Sequence, residues 1–384
     1  MKYFIIAGEA SGDLHASHLI AALRERDADA DFRFYGGDLM QQAAGGELLR
    51  HYRTLAYMGF VQVVLHARTI LRGLADCRRA IAEWSPDCVI LVDYPGFNLK
   101  VAKWVKRHLA DVPVYYYISP KIWAWKERRI HDIRRYVDRL FSILPFEVDF
   151  YEGRHHYPIS YVGNPTYDEV ATYLRDRGED IGLPDTYGHA ADGRHDSLAL
   201  LPGSRKAEIR DNLRTMLHAA AGTGLDITIA AAPGIDDDFY RTVLAGRPAR
   251  IVRGRTYDIL RSARAALVTS GTATLEAALL DVPQVVCYKM SGGRIVNWLR
   301  PYFLKCRWIS LVNLIAEAEV VPELIAADMT PHNVSRHLLS ITSGPARDLQ
   351  LRDYATVRQR LAAAGTAAPH RAAAEIIALL KARQ

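Results

Sequence analysis

The sequence has few cysteines and no long apolar run. Its 384 residues include only 4 cysteines, whose spacing fits no metal-binding motif, so we expect free thiols in a reducing compartment. No apolar run reaches the ~18 residues that cross a bilayer. The apolar stretch at the N-terminus is about five residues long and ends at Glu9, so we expect no secretory signal there. These features argue against a disulfide-stabilised fold and against an integral membrane protein.

The overall composition is that of an ordinary globular protein. Hydrophobic residues make up 49% and charged residues 24%, and the length suffices for two domains. The formal net charge is +6, with 49 lysines and arginines. Such a balance suits a phosphorylated substrate or an anionic lipid surface. Nucleic acid is a further possible partner, although no binding signature of that class is present.

Short apolar runs alternate with helical patterns along most of the chain. The predicted strands are Tyr3–Ala7, Phe32–Tyr35, Cys88–Val92, Val114–Ile118, Arg139–Ile143, Ile159–Val162, Leu198–Leu201, Asp226–Ala231, Arg250–Val252, Ala265–Thr269 and Pro283–Cys287. The helices predicted in the first half are Leu14–Arg26, Arg68–Glu83, Leu99–Leu109 and Trp125–Tyr136. This alternation predicts two doubly wound, Rossmann-like α/β domains.

A polar, glycine-rich stretch, Asp176–Ser197, interrupts the alternation and indicates a loop near a domain boundary. We predict an N-terminal α/β domain at residues 1–170 and a second α/β domain at residues 171–345. A helical tail follows at 346–384 and packs on the N-terminal domain or on a partner subunit. Open α/β sheets bind ligands at the carboxyl ends of their strands, so we expect the site in a cleft between the domains.

The stretch "GEASGD" follows the first predicted strand. Gly8 and Gly12 allow a ligand to approach the backbone, while Glu9 would repel a pyrophosphate. Glu9 and Ser11 therefore favour a hydroxyl-rich ligand such as a sugar. The alternative for Ser11 and for Asp13 is that they cap the following helix.

The stretch "VDYPGFN" places Asp93 directly after the strand Cys88–Val92. A carboxylate beside an apolar strand end can have a raised pKa and serve as a general base. Asn98 is a candidate for substrate binding. Helix capping is the alternative role for both residues.

Basic and aromatic residues are interleaved in two segments. In the first, Lys121, Trp123, Arg128 and Arg129 are candidates for binding a phosphate-bearing substrate. The second, Arg294–Trp308, resembles a membrane-interface segment. The apolar stretch Ala56–Leu71 could hold an acyl chain. In each case a solvated or buried helix face is the alternative.

Two turns in the second predicted domain suit a nucleoside diphosphate. Gly203, Ser204 and Arg205 follow a strand and supply N–H groups, a hydroxyl and a guanidinium. The residues of the second turn are Ser270, Gly271 and Thr272, which also lie between a strand and a helix. Glu276 follows one helical turn later, where a carboxylate can bind both ribose hydroxyls. No pattern typical of a metal site is present, and we expect neither metal nor cofactor.

Together these motifs resemble the lipid-A-disaccharide synthase family of inverting, two-domain GT-B glycosyltransferases. The matching stretches are "IAGEASGD", "DYPGFN", "SPKIWAWKERRI", "ILPFEVDFY", "YVGNP", "LLPGSRKAEI", "TSGTATLEAAL" and "ISLVNLIA". They occur in family order over nearly the whole chain. The G-E-A-S-G-D start separates this family from other GT-B enzymes.

The resemblance implies a reaction and a location. UDP-2,3-diacylglucosamine would donate its sugar to 2,3-diacylglucosamine 1-phosphate, giving a β-1,6-linked disaccharide 1-phosphate and UDP, a step of lipid A biosynthesis in Gram-negative bacteria. The enzyme would be cytoplasmic and peripherally associated with the inner membrane, with possible dimers through C-terminal helices. The resemblance also implies that Asn313 lies near the nucleotide.

Two departures from the family pattern affect the site. Many members carry a second acid where this chain has Gly96, so either Asp93 acts as the base here or Glu9 does. Many members also read A-G-R-E where this chain has the residues 316–319, A-E-A-E.

Four other functions remain open on the sequence. A UDP-N-acetylglucosamine 2-epimerase has two such domains, but it would not need the second aromatic-basic segment. A lipid II-type glycosyltransferase would start with G-G-T-G-G-H, which is missing. A non-catalytic nucleotide-sugar-binding protein would bind without turnover, and a nucleic-acid-binding protein would show steep salt dependence.

Overall fold

The structure, a computed structural model, describes residues 1–54, 67–181, 196–289, 306–362, 365 and 367–383. The chain divides into two compact units. The first comprises Met1–Pro165 together with Ala364–Gln384, and the second comprises Thr166–Ala363. The division therefore lies at residue 165 rather than at the predicted 170. Most of the predicted tail belongs to the second unit, and only its last helix returns to the first.

The first unit is a parallel sheet covered by helices. Its strands are β1 (Lys2–Ala7), β2 (Asp31–Gly36), β3 (Glu47–His51), β4 (Cys88–Val92), β5 (Val114–Tyr117), β6 (Arg139–Ser142) and β7 (Ser160–Tyr161). Its helices are α1 (Ala10–Arg26), α2 (Asp38–Ala44), α3 (Ala67–Trp84), α4 (Pro95–His108), α5 (Ile130–Tyr136) and, from the C-terminus, α14 (Ala368–Lys381). The strand order β3-β2-β1-β4-β5-β6-β7 is that of a doubly wound sheet.

The second unit repeats this architecture. Its strands are β8 (Ser197–Leu201), β9 (Asp226–Ala231), β10 (Arg250–Arg253), β11 (Ala265–Val268), β12 (Gln284–Tyr288) and β13 (Glu323–Ile325), in the order β10-β9-β8-β11-β12-β13. Its helices are α6 (Pro165–Arg175), α7 (Lys206–Ala220), α8 (Asp237–Leu244), α9 (Thr256–Ser262), α10 (Thr272–Leu279), α11 (Leu311–Ala316), α12 (Pro331–Thr342) and α13 (Pro345–Ala362). The predicted fold class, two doubly wound α/β domains with a helical C-terminus, is confirmed.

Two layers of core cover the first sheet. One face packs against α1 and α14, with β-strand residues such as Ile5 and Ile90 fully buried. The other packs against α3, α4 and α5, with Phe4 and Leu91 fully buried. Burial of successive residues on both faces explains why these strands read as continuous apolar runs.

Two observed strands, β3 and β13, were not predicted from the sequence, and both lie at an edge of their sheet. β3 is half-buried and polar, and β13 has only three residues. The helix predicted from Trp125 begins only at Ile130, after a short 3₁₀ turn at Glu127–Arg129. Neither edge strand carries the apolar run that a central strand needs.

None of the helices that the structure describes combines the length and the apolar composition needed to cross a bilayer.

Candidate functional site

In the first unit the predicted site residues follow strands that are neighbours in the sheet. Glu9 follows β1, Asp93 follows β4 and Lys121 follows β5. Because parallel strands end at the same edge, these side chains share one edge of the sheet. The positive charge of Lys121 lies near enough to the Asp93 carboxylate to lower its pKa.

Asp93 occupies a strained turn between β4 and α4. Asp93 and Tyr94 both have positive φ, +43° and +47°, which is uncommon for residues other than glycine. Burial raises the pKa of the Asp93 carboxyl, while Lys121 and the backbone N–H of Tyr94 oppose the rise. A desolvated carboxylate on a strained turn fits the predicted role of a general base.

Asn98 holds the backbone of this turn. Its Nδ2 donates to the carbonyl oxygens of Asp93 (2.7 Å) and Val92 (3.2 Å), and the side chain is fully buried. The Tyr116 hydroxyl donates to the same Asp93 carbonyl at 2.5 Å. The structure therefore gives Asn98 a positioning role through its two donor contacts, and its predicted substrate contact stays a prediction.

The turn after β1 packs against Tyr94. A Cβ atom added at Gly8 would lie 2.2 Å from the Tyr94 ring, so the glycine is required by this contact. Glu9 is half-buried at the start of α1, and its charge contributes to a raised Tyr94 pKa. The structure thus explains Gly8 by packing, whereas the sequence suggested the approach of a ligand.

Asp13, the second acid of "GEASGD", is structural. Its buried carboxylate accepts from the backbone N–H groups of Gly37 (2.7 Å), Leu39 (3.2 Å) and Met40 (3.2 Å). It therefore caps α2 rather than its own helix. Ser11 is exposed on the first turn of α1 and Gly12 is buried there, so Ser11 alone of these two presents a side chain to solvent.

In the aromatic-basic segment after β5, Trp123 is bonded within the protein, whereas two of the cations are exposed to solvent. The Trp123 Nε1 donates to Glu147 Oε1 at 2.8 Å, so the hydrogen-bond donor of this indole is used within the protein. Lys121 and Arg128 are exposed, and Arg129 is half-buried within 5.8 Å of the Trp125 ring. Burial, the largest effect, lowers the pKa of the Arg129 guanidinium.

Glu147 is a site residue that sequence reasoning missed. It follows β6 and is 1% exposed, with the hydroxyls of Ser119 and Ser142 and the Trp123 indole as donors. Burial raises the pKa of Glu147 to about 7, although the three donors and Lys121 act in the opposite direction. A lone acid in the apolar stretch "ILPFEV" was the available signal.

In the second unit both predicted diphosphate turns follow adjacent strands. Gly203, Ser204 and Arg205 follow β8, and the turn of Ser270, Gly271 and Thr272 follows its neighbour β11. Gly203 (φ +116°) and Gly271 (φ +149°) adopt backbone conformations that side chains disfavour. The two turns thus lie side by side at one edge of the sheet.

Asn212 of α7 joins these turns and was also missed. Its Nδ2 donates to the Pro202 carbonyl (3.2 Å) and to Thr269 Oγ1 (3.0 Å), and its Oδ1 accepts from the Lys289 N–H (2.8 Å). The side chain is fully buried. One amide therefore connects the ends of β8, β11 and β12.

The exposed Arg205 guanidinium contacts a carboxylate within its own turn. Arg205 donates to Glu208 Oε1 at 3.1 Å, and the Ser204 N–H lies 3.4 Å from Glu208 Oε2. The Ser270 hydroxyl donates to the Ile309 carbonyl at 3.0 Å and retains its acceptor capacity. Thr272 is exposed at the first position of α10.

Glu276 lies on α10 beside a second carboxylate. Burial first, and then the charge of Glu169, raise the pKa of Glu276 to about 7. Glu169 is bonded in turn to Tyr257, while its Oε1 is buried with no partner in the described part of the chain. Among the described residues, no hydrogen-bond donor reaches the Glu276 side chain, so its oxygens are available to a ligand.

The Asn313 side chain is bonded within the protein, and its predicted place near the nucleotide stays a prediction. Its Nδ2 donates to Val321 O (2.8 Å) and Glu323 Oε1 (2.9 Å), and its Oδ1 accepts from the N–H groups of Val320 (2.8 Å) and Val321 (2.9 Å). The amide's two donor and two acceptor positions are therefore all used. Its side chain has no hydrogen-bonding capacity left for a nucleotide, and we assign it the role of holding this loop.

Two predicted lipid-facing segments lie largely outside the described residues. These are residues 56–66 of the apolar stretch and residues 294–305 of the second aromatic-basic segment. At the end of the latter, the Arg307 guanidinium lies 5.0 Å from the Trp308 ring. Within the described ranges no group of three or more His, Cys, Asp or Glu residues could hold a metal ion.

Comparisons with known proteins agree with these motifs. A family model described as lipid-A-disaccharide synthetase matches residues 3–377. A lipid-A-disaccharide synthase from Myxococcus xanthus is 40% identical over 392 residues, covering 99% of this chain and 97% of its own. One from Syntrophus aciditrophicus is 36% identical over 388 residues, with coverages of 98% and 97%.

Solved structures share the fold at low sequence identity. The calicheamicin glycosyltransferase CalG4 has a TM-score of 0.56 and 17% identity, covering 99% of this chain and 98% of its own. The UDP-GlcNAc 2-epimerase from Methanocaldococcus jannaschii has a TM-score of 0.61 and 13% identity, covering 99% and 100%. At such identities these likenesses concern the fold alone.

Proposed function

The chain belongs to the lipid-A-disaccharide synthetase family, and on that premise we propose how its residues carry out the reaction. The enzyme is a glycosyltransferase of lipid A biosynthesis that joins a nucleotide-activated sugar to a phosphorylated sugar. We propose UDP-2,3-diacylglucosamine as donor and 2,3-diacylglucosamine 1-phosphate as acceptor. The match over residues 3–377 carries this conclusion, since it spans both units. The epimerase likeness is one of fold and favours no second function.

Asp93 is the proposed base that deprotonates the acceptor's 6-hydroxyl. An inverting transfer needs one base and an in-line attack on the anomeric carbon. Asp93 has the raised pKa and the fixed backbone that this role requires. Glu9, half-buried at the neighbouring strand end, is the alternative base and otherwise binds sugar hydroxyls together with Ser11.

The cations after β5 are the proposed site for the acceptor's 1-phosphate. Lys121 and Arg128 are exposed, and Lys121 lies near Asp93. An ammonium and a guanidinium provide charge-assisted hydrogen bonds to phosphate oxygens.

The second unit is the proposed binding site of the UDP moiety. The turns at Gly203–Arg205 and Ser270–Thr272 supply backbone N–H groups, hydroxyls and a guanidinium for the diphosphate. Their donors stabilise the charge that develops on the leaving UDP. The open carboxylate of Glu276 accepts from the ribose hydroxyls.

No cofactor is needed in this scheme, because the donor is already activated. We further propose peripheral association with the cytoplasmic face of the inner membrane, since both substrates carry acyl chains. Dimerisation through the C-terminal helices stays a prediction.

The test is a disaccharide assay with the purified protein in detergent, without added metal and with a chelator. UDP release and disaccharide formation are followed for the wild type, Asp93→Asn and Glu9→Gln. Loss of turnover in Asp93→Asn with UDP affinity retained supports Asp93 as the base. Loss in Glu9→Gln alone moves the base to Glu9. No disaccharide from folded wild type over several acyl lengths refutes the synthase function.

A further inference from the structure

Glu147 is a buried carboxylate that the proposed reaction does not use. It follows β6 in the first unit and is only 1% exposed. Removing a carboxylate from water is unfavourable unless hydrogen bonds compensate for the lost hydration. The hydrogen-bond partners of Glu147 therefore indicate its role.

Both oxygens of Glu147 are bonded to the loop after β5. The Ser119 hydroxyl donates to Oε2, and the Trp123 Nε1 donates to Oε1 at 2.8 Å. The Ser142 hydroxyl also donates to Oε2 and fixes the carboxylate to the end of β6. Glu147 thus bonds to the first and last residues of the segment Ser119–Trp123, which we name the Lys121 loop.

The backbone that leads into the Lys121 loop is strained, which is a reason for the loop to need such support. Ile118, which precedes it, has φ +65°, an outlier for a β-branched residue. The Tyr151 hydroxyl donates to the Pro120 carbonyl at 3.0 Å, and the Ser119 N–H donates to Phe141 O at 3.1 Å. Strained backbone persists only where surrounding contacts hold it, and it is concentrated at functional sites.

The loop carries one exposed cation towards the candidate site. Burial raises the pKa of both Asp93 and Glu147, and the positive charge of Lys121, on the loop that Glu147 holds, opposes the rise at each carboxyl. Lys121 is exposed while the residues that flank it, Pro120 and Ile122, are buried. The loop therefore exposes the lysine side chain to solvent while the residues on either side of it are packed in the interior.

We propose that Glu147 is a positioning residue for this reaction: by holding the Lys121 loop, its carboxylate places the Lys121 ammonium where the acceptor phosphate binds beside Asp93. This inference rests on the proposed function, which assigns the phosphate to Lys121 and the proton transfer to Asp93.

Two substitutions at Glu147 distinguish the effect of the carboxylate's hydrogen bonds from the effect of its side-chain volume. Glu147→Ala removes all three acceptor interactions and leaves the Trp123 N–H without its partner. Glu147→Gln keeps the volume and one carbonyl oxygen. A serine hydroxyl can rotate to accept from the new amide, whereas an indole N–H cannot, so the glutamine variant retains part of the network.

The test is a double-mutant cycle on phosphate recognition, using the full-length protein. The acceptor is supplied as 2,3-diacylglucosamine 1-phosphate and, separately, as 2,3-diacylglucosamine without the phosphate. The ratio of the two kcat/KM values measures how strongly the enzyme uses the phosphate. It is determined for the wild type, Glu147→Ala, Glu147→Gln, Lys121→Ala and the Glu147→Ala/Lys121→Ala double variant.

We expect Lys121→Ala and Glu147→Ala each to lower this ratio by about tenfold or more, as for the loss of a charge-assisted hydrogen bond. The double variant should fall no further than Lys121→Ala alone, because Glu147 acts through the lysine. Glu147→Gln should lie between wild type and alanine. The KM for the UDP-sugar should stay unchanged, since its proposed site is in the second unit.

Glu375→Gln is the matched control. Glu375 is also a carboxylate of the first unit with two side-chain donors, Arg139 (2.6 Å) and Ser160 (2.7 Å). Its substitution by glutamine should leave the ratio of the two kcat/KM values unchanged. A ratio unaffected by Glu147→Ala and Glu147→Gln, additive losses in the double variant, or a ratio unaffected by Lys121→Ala each overturns the proposal. If Glu147→Ala does not fold, Glu147→Gln decides alone. Wild type that makes no disaccharide refutes the proposed function as well.

Discussion

Glu276 and Glu169 form a pair of neighbouring acids in the second unit. Burial and the Glu169 charge raise the pKa of Glu276 to about 7, so near neutral pH its carboxyl is only partly ionised. A ribose hydroxyl donates to a carboxylate more strongly than to a neutral acid. Donor binding through Glu276 should therefore titrate in the physiological range.

We expect the affinity for the UDP-sugar to rise roughly tenfold from pH 6 to pH 8, as Glu276 ionises. Glu169→Gln removes a like charge and so lowers the Glu276 pKa, which should preserve tight binding at lower pH. Calorimetric titration at several pH values measures both effects. Glu276→Gln is the control and should bind weakly at every pH. A flat profile for the wild type would contradict ribose binding by this carboxylate.

Gly8 and Gly12 belong to one motif but differ in what surrounds them. An added Cβ at Gly8 would meet the Tyr94 ring at 2.2 Å, whereas at Gly12 it would meet Ala7 Cβ at 3.4 Å. Gly8→Ala should therefore displace Tyr94, next to Asp93, and lower kcat by about tenfold or more, since small displacements of catalytic groups are costly. Gly12→Ala should keep most activity. Steady-state rates of the two variants test this, and equal losses would show that the Tyr94 contact is unimportant.

At the scale of single elements, the second residue of helix α4 is a glycine with open space around it. Gly96 is exposed, and an added Cβ would meet no atom within 4 Å. Its φ lies outside the left-handed region. The position therefore accepts a side chain without strain.

Gly96→Ala should stabilise the first unit by a few tenths to about 1 kcal/mol, because alanine loses less backbone entropy in a helix. Thermal unfolding should show a rise of about 1–4 °C. Gly203→Ala is the contrasting variant and should lower the melting temperature, since its φ of +116° is unsuited to alanine. A fall for Gly96→Ala would mean that the glycine has a conformational role.

At the scale of the whole molecule, the chain leaves the first unit at Pro165 and returns to it with α14. The helix packs on α1 through residues that include Ala372, Ile376 and Leu380. Glu375 adds an ion pair with Arg139 at 2.6 Å. The C-terminal segment is therefore part of the core of the N-terminal unit.

Ile376→Ala should destabilise the first unit by about 2–5 kcal/mol, as expected for a large-to-small change at a fully buried position. Leu349→Ala on α13 is the control, because this leucine is 51% exposed and should change stability by less than about 0.5 kcal/mol. Hydrogen exchange of the first sheet's strands measures the difference. Equal protection in the two variants would show that α14 contributes little.

A comparison of the predicted strands and helices with the observed ones shows how far the sequence predicts this fold. Cys88–Val92 was predicted with its observed bounds, because a buried parallel strand is a continuous apolar run. The edge strands β3 and β13 carry no such run and were missed. Of the last two helices only α14 packs in the first unit, and no motif in its sequence names that sheet as its partner.

The sequence by itself determined the fold class, the family and the acid and glycine positions at the strand ends, because these depend on local periodicity and on motifs of fixed spacing. Only the tertiary structure decided which polar residues remain available to a ligand. Asn98 donates to the backbone of its own turn, Asp13 and Asn313 are engaged by other groups of the protein, and Glu147 and Asn212 hold loops whose motifs gave no sign of these contacts. A hydrogen bond between residues far apart in the chain leaves no trace in either local sequence. The distinction between a ligand contact and a structural contact is therefore settled by packing.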